Sequence, residues 1–257
     1  MSAPNSHYFE FRGVSKSFED HLVLDDVSFF VDPAETAVIL GRSGVGKSVT
    51  LKHIMGFLQP DVGRVIVAGQ DVTDWTEDQF QQIRRRVTMV FQSGALFDSL
   101  TVAQNIAFPF ETREDVDPGE VDARVHELLE MLEVTEFADK LPSELSTGTK
   151  RAVAIARALA QDPEAILYDE PTTMVDPLMA GHIGDLILKL KEKFHKTAIV
   201  VTHDTHLAKK LADRIIFLHE GRVAFFGPWA EFESSPDRFL RHFRIQDELI
   251  PALDVTP

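Results

Sequence analysis

The spacing of hydrophobic and polar positions changes period several times along this chain. Residues 8–14 (YFEFRGV) and 22–31 (LVLDDVSFFV) predict two strands with polar residues between them. TAVIL (36–40) is a short apolar run, the pattern of a strand buried on both faces. The period then lengthens. Leu51, Ile54, Met55 and Leu58 stand at i, i+3, i+4 and i+7, one face of a helix. GRVIVAG (63–69) and RVTMVFQ (86–92) return to strand. From about residue 94 to 162 the spacing is helical. Val121, Val125, Leu128, Leu129 and Leu132 share a face there, and DPGE (117–120) makes a helix start whose acids suit the positive end. AILYD (165–169) and TAIVVT (197–202) predict buried strands, with a helix between them marked by Ile183, Leu186, Ile187, Leu190 and Phe194. RIIFLHEGRVAFFG (214–227) predicts a hairpin turning at Glu220-Gly221. A polar tail follows, with Phe239, Leu240 and Phe243 on a short helix.

Short strands alternating with helices predict an α/β fold, and the helical middle predicts a subdomain inserted into it. The chain has 257 residues, enough for a large core, and no cysteine, so no disulfide holds it. Its formal net charge of −15 argues against a general nucleic-acid binder, since phosphate backbones attract basic surfaces. The start, MSAPNSHYFEF, lacks the basic and apolar stretches of a signal peptide. No apolar run approaches the roughly 18–20 residues that cross a bilayer. Work at a membrane would therefore need another chain to supply the span.

GRSGVGKS fits G-x-x-x-x-G-K-[ST] at Gly41, Gly46, Lys47 and Ser48. It follows a predicted strand and opens a predicted helix, the context this motif requires. Glycines let backbone N–H groups turn inward around phosphate oxygens, and the helix points its positive end at the same anion. Lys47 is expected to reach the β- and γ-phosphates, and Ser48 to supply a magnesium ligand. Downstream, Asp169 ends a buried strand, where a carboxylate can hold magnesium, and Glu170 follows as a candidate general base. The asparagines, Asn5 and Asn105, start no N-K-x-D guanine motif, so adenine is the expected base.

In order along the chain come the phosphate loop at 41–48, a strand ending in Gln92, a helical insert, LSTGTKRAVAIARAL (145–159), ILYDEP (166–171), MVDP (174–177) and a strand ending in His203. This series resembles the ATP-binding subunit of ABC transporters over about residues 8–228. The resemblance implies the P-loop NTPase ABC ATPase fold: a mixed sheet core, an N-terminal antiparallel β subdomain and an inserted α-helical subdomain. It implies an ATPase domain over 1–228, with the helical subdomain at about 94–162, and a C-terminal extension at 229–257. ATP and Mg2+ are the implied ligands. Gly41, Arg42, Ser43, Gly44, Val45, Gly46, Lys47, Ser48 and Val49 would surround the phosphates. Phe18 would stack on adenine. Ser48, Gln92 and Asp169 would serve magnesium, and Gln92 would also sense the membrane partner. Glu170 and His203 would act on the γ-phosphate, His203 as a switch. Ser146 and Gly148 would meet the nucleotide of the opposite subunit, and Asp176 would touch that subunit, so a homodimer is implied. The signature departs from the common L-S-G-G-Q at Thr147 and Thr149.

The run MVFQSGALFDSLTVAQNIAFPF (89–110) resembles the subfamily serving Mla/Mce-type phospholipid transport. That resemblance implies an integral permease (MlaE-like), an Mce-domain lipid-binding protein (MlaD-like), a small STAS-type accessory subunit and phospholipid as the transported substrate. The location implied is the cytoplasmic face of the inner membrane, and no nucleic acid is expected. An ABC ATPase driving another solute would carry the same nucleotide residues. The acid-rich 111–122 is expected to be a solvated loop leading into a helix.

Overall fold

The computed structural model describes residues 7–111 and 117–253. They fall into two compact units, one of residues up to Asp74 and from Val201 onward, the other Trp75–Val200.

The first unit opens with β1 (Phe9–Phe18) and β2 (His21–Val31), paired antiparallel. Phe9, Phe11 and Val14 of β1 and Val27, Phe29 and Val31 of β2 are buried. Phe11 and Phe29 are register partners, and their rings stack 4.6 Å apart, a cross-strand pair of the kind that holds sheets together. β3 (Thr36–Leu40) is wholly buried, as an apolar run without alternation requires. Helix α1 (Lys47–Ile54) follows, then β4 (Val62–Val67) and β5 (Gln70–Asp71). The order β2-β1-β4-β5 makes a four-stranded antiparallel sheet. Helix α1 stops short of Leu58, which the periodicity had placed on it. Gly56 takes φ +72, and the N–H groups of Gly56 and Phe57 turn back to the carbonyls of His53 and Lys52, a closed helix end.

The second unit holds α2 (Glu77–Arg84), β6 (Val87–Val90), α3 (Val102–Ala107), α4 (Pro118–Met131), α5 (Thr147–Leu159), β7 (Ala165–Asp169) and α6 (Pro177–Phe194). Strands β6 and β7 pair in parallel, Val87 opposite Ala165. Helix α2 escaped the pattern reading because only Phe80 and Ile83 are buried on it. Asp117 caps α4, accepting the Gly119 N–H at 2.7 Å, with Pro118 at the first turn. Residues 112–116 of the acid-rich run lie outside the described residues. The predicted strand through Gln92 ends at Val90, because the Gly94 N–H closes a turn on Phe91 O. β8 (Thr197–Thr202) stops one residue before His203 and carries the chain back to the first unit.

There α7 (Thr205–Leu211), β9 (Arg214–His219), β10 (Arg222–Gly227), α8 (Trp229–Ser234) and α9 (Arg238–Leu253) complete the chain. β9 runs parallel to β3 and antiparallel to β10, a mixed sheet. Glu220 and Gly221 turn the hairpin with φ +47 and +75, the two positive values of a tight primed turn. The tail is less polar in its role than in its composition. Phe232, Leu240 and Phe243 are buried, and Phe232, Phe239 and Phe243 ring Phe217 of β9 at 5.7, 5.8 and 4.8 Å.

Candidate functional site

The glycine-rich loop leaves β3 at Leu40 and enters α1 at Lys47. Its path tolerates side chains poorly at both ends. A Cβ on Gly46, which has φ +101, would lie 2.6 Å from Leu24 Cδ2, and one on Gly41 would lie 2.5 Å from Leu218 O. Gly44, at φ +83, has open space where a Cβ would stand. Arg42, Ser43 and Gly44 are exposed, while Val45, Ser48 and Val49 are half-buried. Lys47 is buried, and its Nζ donates to Gly41 O at 2.8 Å and Arg42 O at 3.1 Å. A cation is thus curled over a loop with left-handed glycines at the positive end of a helix. Backbone and charge arranged in this way suit an anion, and the residues present fit a nucleotide's phosphates.

In the same unit Phe18 ends β1 and is 41% exposed, with Lys16 Nζ 5.8 Å from its ring centroid. The side chain is therefore partly open to solvent. His203 stands exposed between β8 and α7. Asp204 beside it caps α7, accepting from the N–H groups of His206 and Leu207 at 2.8 and 3.0 Å.

In the second unit Asp169 closes β7 and Glu170 follows, both nearly buried. Glu170 takes φ +47, a costly conformation for a residue with a side chain, and accepts a hydrogen bond from Thr173 Oγ1 at 2.9 Å on Oε2. Its carboxylate is aimed by the loop that follows it. Asp176 accepts the Met179 N–H at 3.0 Å and caps α6, leaving the exposed Met174 and Leu178 on either side. Ser146 caps α5: its Oγ accepts the Thr149 N–H at 3.1 Å and lies 2.8 Å from Thr149 Oγ1. Thr147 is exposed at the first turn. Gly148 is buried, and a Cβ on it would lie 2.5 Å from Met179 Cε, so close packing on α6 accounts for this glycine locally. Gln92 is exposed in the turn after β6.

Among the described residues no group of three or more His, Asp or Glu is arranged to hold a metal. Ser48 in the first unit and Asp169 and Gln92 in the second carry hydroxyl, carboxylate and amide oxygens, donor types that suit Mg2+.

Three residues were not legible as site residues. Arg151 is buried and donates to Phe91 O and Thr173 O. Arg157 donates to Gly94 O at 3.1 Å and stacks on Phe97 at 5.5 Å. Burial lowers the affinity of both guanidinium groups for the proton. Asn105 is fully buried, accepting from Phe97 N and donating to the carbonyls of Phe97, Leu100 and Thr101. All three brace the loop that carries Gln92. Residue type alone gives an arginine on a helix as a solvated charge, so no pattern announced them.

A family model described as ABC transporter matches residues 24–173. The chain belongs to the ABC transporter family. The cassette is 39% identical over 224 residues to a sulfate/thiosulfate import ATP-binding protein, CysA, of Synechococcus elongatus, covering 87% of this chain and 63% of the relative. It is 32% identical over 234 residues to a probable ribonucleotide transport ATP-binding protein, mkl, of Mycobacterium leprae, covering 91% and 67%. The chain thus spans under two thirds of the length of the first of these relatives. Among solved structures, the dimeric post-hydrolysis state of the ATP-binding cassette MJ0796, bound to ADP and Pi, matches with a TM-score of 0.78 at 34% identity, over 86% of this chain and 98% of that one. The ABC ATPase fold that the motifs implied is the fold observed. Among the described residues no helix is long and apolar enough to cross a membrane.

Proposed function

We propose that this chain is the ATP-hydrolysing subunit of an ABC transporter. The observation that carries this is the loop at 41–48, with left-handed glycines at the head of α1 and Lys47 bent across it. In this reading Gly41–Val49 hold the triphosphate, Phe18 stacks on adenine and His203 contacts the γ-phosphate. Ser48, Gln92 and Asp169 would hold Mg2+, which neutralises phosphate charge when bound. Glu170 takes the proton of the attacking water. Its aim is set by Thr173, and its near-burial suits a base that works away from bulk solvent. Ser146 and Gly148 meet the nucleotide held by a second copy, and Asp176 contacts that copy. ATP binds the closed dimer better than the open one, and that difference lets it drive closure. The chain would then sit on the cytoplasmic face of an inner membrane, docked to an integral permease.

The test is ATP turnover by the purified chain with Mg2+. Glu170→Gln should keep ATP binding and cut turnover by about 10²–10⁴-fold, the range a positioned base contributes. Retained hydrolysis would remove Glu170 from that role.

The substrate is a separate matter. The relatives named above are, by name, an import protein for sulfate or thiosulfate and a probable transport protein for ribonucleotide. They favour a solute other than phospholipid. The lipid reading keeps one support of its own, the run 89–110, in which Phe97 lies exposed on a loop tied down by Asn105 and Arg157. It would bring an MlaE-like permease, an MlaD-like Mce protein and a STAS-type subunit. Co-purification from the native membrane in gentle detergent, with mass spectrometry of proteins and lipids, separates the two. A permease with an Mce protein and phospholipid supports the lipid reading; a permease with a soluble-solute receptor supports the other.

A further inference from the structure

Arg151 is 4% exposed, a cation taken almost wholly out of water. Among the described residues it makes no ion pair. Its Nη1 donates to Phe91 O at 3.2 Å and its Nη2 to Thr173 O at 3.4 Å, and its Nε finds no partner. A buried charge with only two long bonds to carbonyls is a poor stabilising device, because desolvation is costly and one of its donors is orphaned. A methionine of similar length would fill the space without that cost. What the guanidinium does uniquely is span two loops with one rigid fork.

The two acceptors make this informative. Phe91 immediately precedes Gln92. Thr173 is the residue whose hydroxyl aims Glu170. Arg151 itself sits on α5, whose cap is Ser146. The loop after β6 also lies on α5 by shape: a Cβ on Gly94 would stand in ordinary contact with Lys150 O, Ala154 Cβ and Arg151 Nη1.

We infer that Arg151 is a positioning residue, joining the Gln92 loop and the Glu170–Thr173 loop to the signature helix so that the three move as one body. The inference rests on the reading of Gln92 and Glu170 as parts of an ATP site. Displacement of either loop against α5 would leave nucleotide binding at 41–48 in place and misalign Glu170 relative to the bond it must act on.

The experiment is steady-state ATPase kinetics of the full chain carrying Arg151→Gln, Arg151→Lys, or Val153→Ala as a packing control elsewhere on α5, with Tm measured for each. Arg151→Gln should lower kcat by about 10-fold while KM for ATP stays within about twofold, since misplacement near 1 Å can cost that much or more. Arg151→Lys should recover part of kcat, because one ammonium can reach one carbonyl at a time. Gln92→Ala should add less in the Arg151→Gln background than in the native chain. Unchanged kcat in Arg151→Gln and Arg151→Lys, or an equal loss in Val153→Ala at the same Tm, would overturn the inference. If Arg151→Gln does not fold, Arg151→Lys decides: native kcat and native Gln92 sensitivity would sink the positioning role. Turnover unaltered by Glu170→Gln would instead bring down the underlying site reading, whatever Arg151 does.

Discussion

A single amine serves both charge and shape in the glycine-rich loop. Lys47 Nζ bonds two loop carbonyls, so Lys47→Ala removes the positive charge together with two ties on the loop. ATP affinity should fall at least about 10-fold by equilibrium dialysis, as expected for losing a charge-assisted contact; unchanged affinity would count against the loop as the phosphate site. Thr147 is the sharper case. Its β-branched side chain is exposed at the head of α5, where the resemblance places a phosphate approach. Thr147→Gly should raise ATPase rate and ATP-driven dimerisation; if neither moves, the departure from L-S-G-G-Q is neutral. Lys47 became a candidate through motif and spacing, and Thr147 through the resemblance alone. Arg151, Arg157 and Asn105 were marked by neither, because what matters is burial against particular carbonyls, and burial of a polar side chain is a tertiary fact.

Elements show where pattern and packing part. Helix α1 has His53 on its buried side, its Nδ1 donating to Val49 O at 2.7 Å. Burial holds the His53 pKa below its ordinary value of 6.5. The unfolded chain then binds the proton more readily, so this contribution is fully present above about pH 6.5 and is lost as pH falls toward the lowered folded value. Melting temperature should therefore drop on acidification through that window, and His53→Leu should flatten the slope; an identical slope would clear His53. The tail tells a related story. Phe232 is fully buried against Phe217, so Phe232→Ala should cost about 3–5 kcal/mol by denaturant titration, the usual range for a buried phenylalanine. An effect under about 1 kcal/mol would mean that α8 is dispensable to the fold. Spacing placed Phe239, Leu240 and Phe243 on a helix, but Phe232 stands alone on the short α8 and no period marked it for burial.

For the whole molecule, the testable quantity is assembly. Exposed Met174 and Leu178 flank Asp176 at the head of α6, large apolar side chains that a monomer leaves in water. With Glu170→Gln to slow turnover, ATP and Mg2+ should convert the chain to a dimer on size-exclusion chromatography, and Met174→Asp should prevent it. A monomer throughout would remove the two-copy reading while leaving the cassette fold intact.

The longer strands and their order, the glycine-rich loop, the acidic pair at 169–170 and the hairpin at Glu220-Gly221 were determined by local sequence, because each depends on backbone permissiveness, period or residue chemistry within a few positions; α2, with only two buried residues, was not. Ends of elements were decided later: Gly56 closed α1, and the Phe91–Gly94 turn moved Gln92 off its strand. Tertiary structure alone decided that Gly148 is filled by Met179 and that one buried arginine reaches two loops. These are contacts between segments many residues apart, made by packing, and no spacing along the chain encodes which carbonyl a buried donor will find.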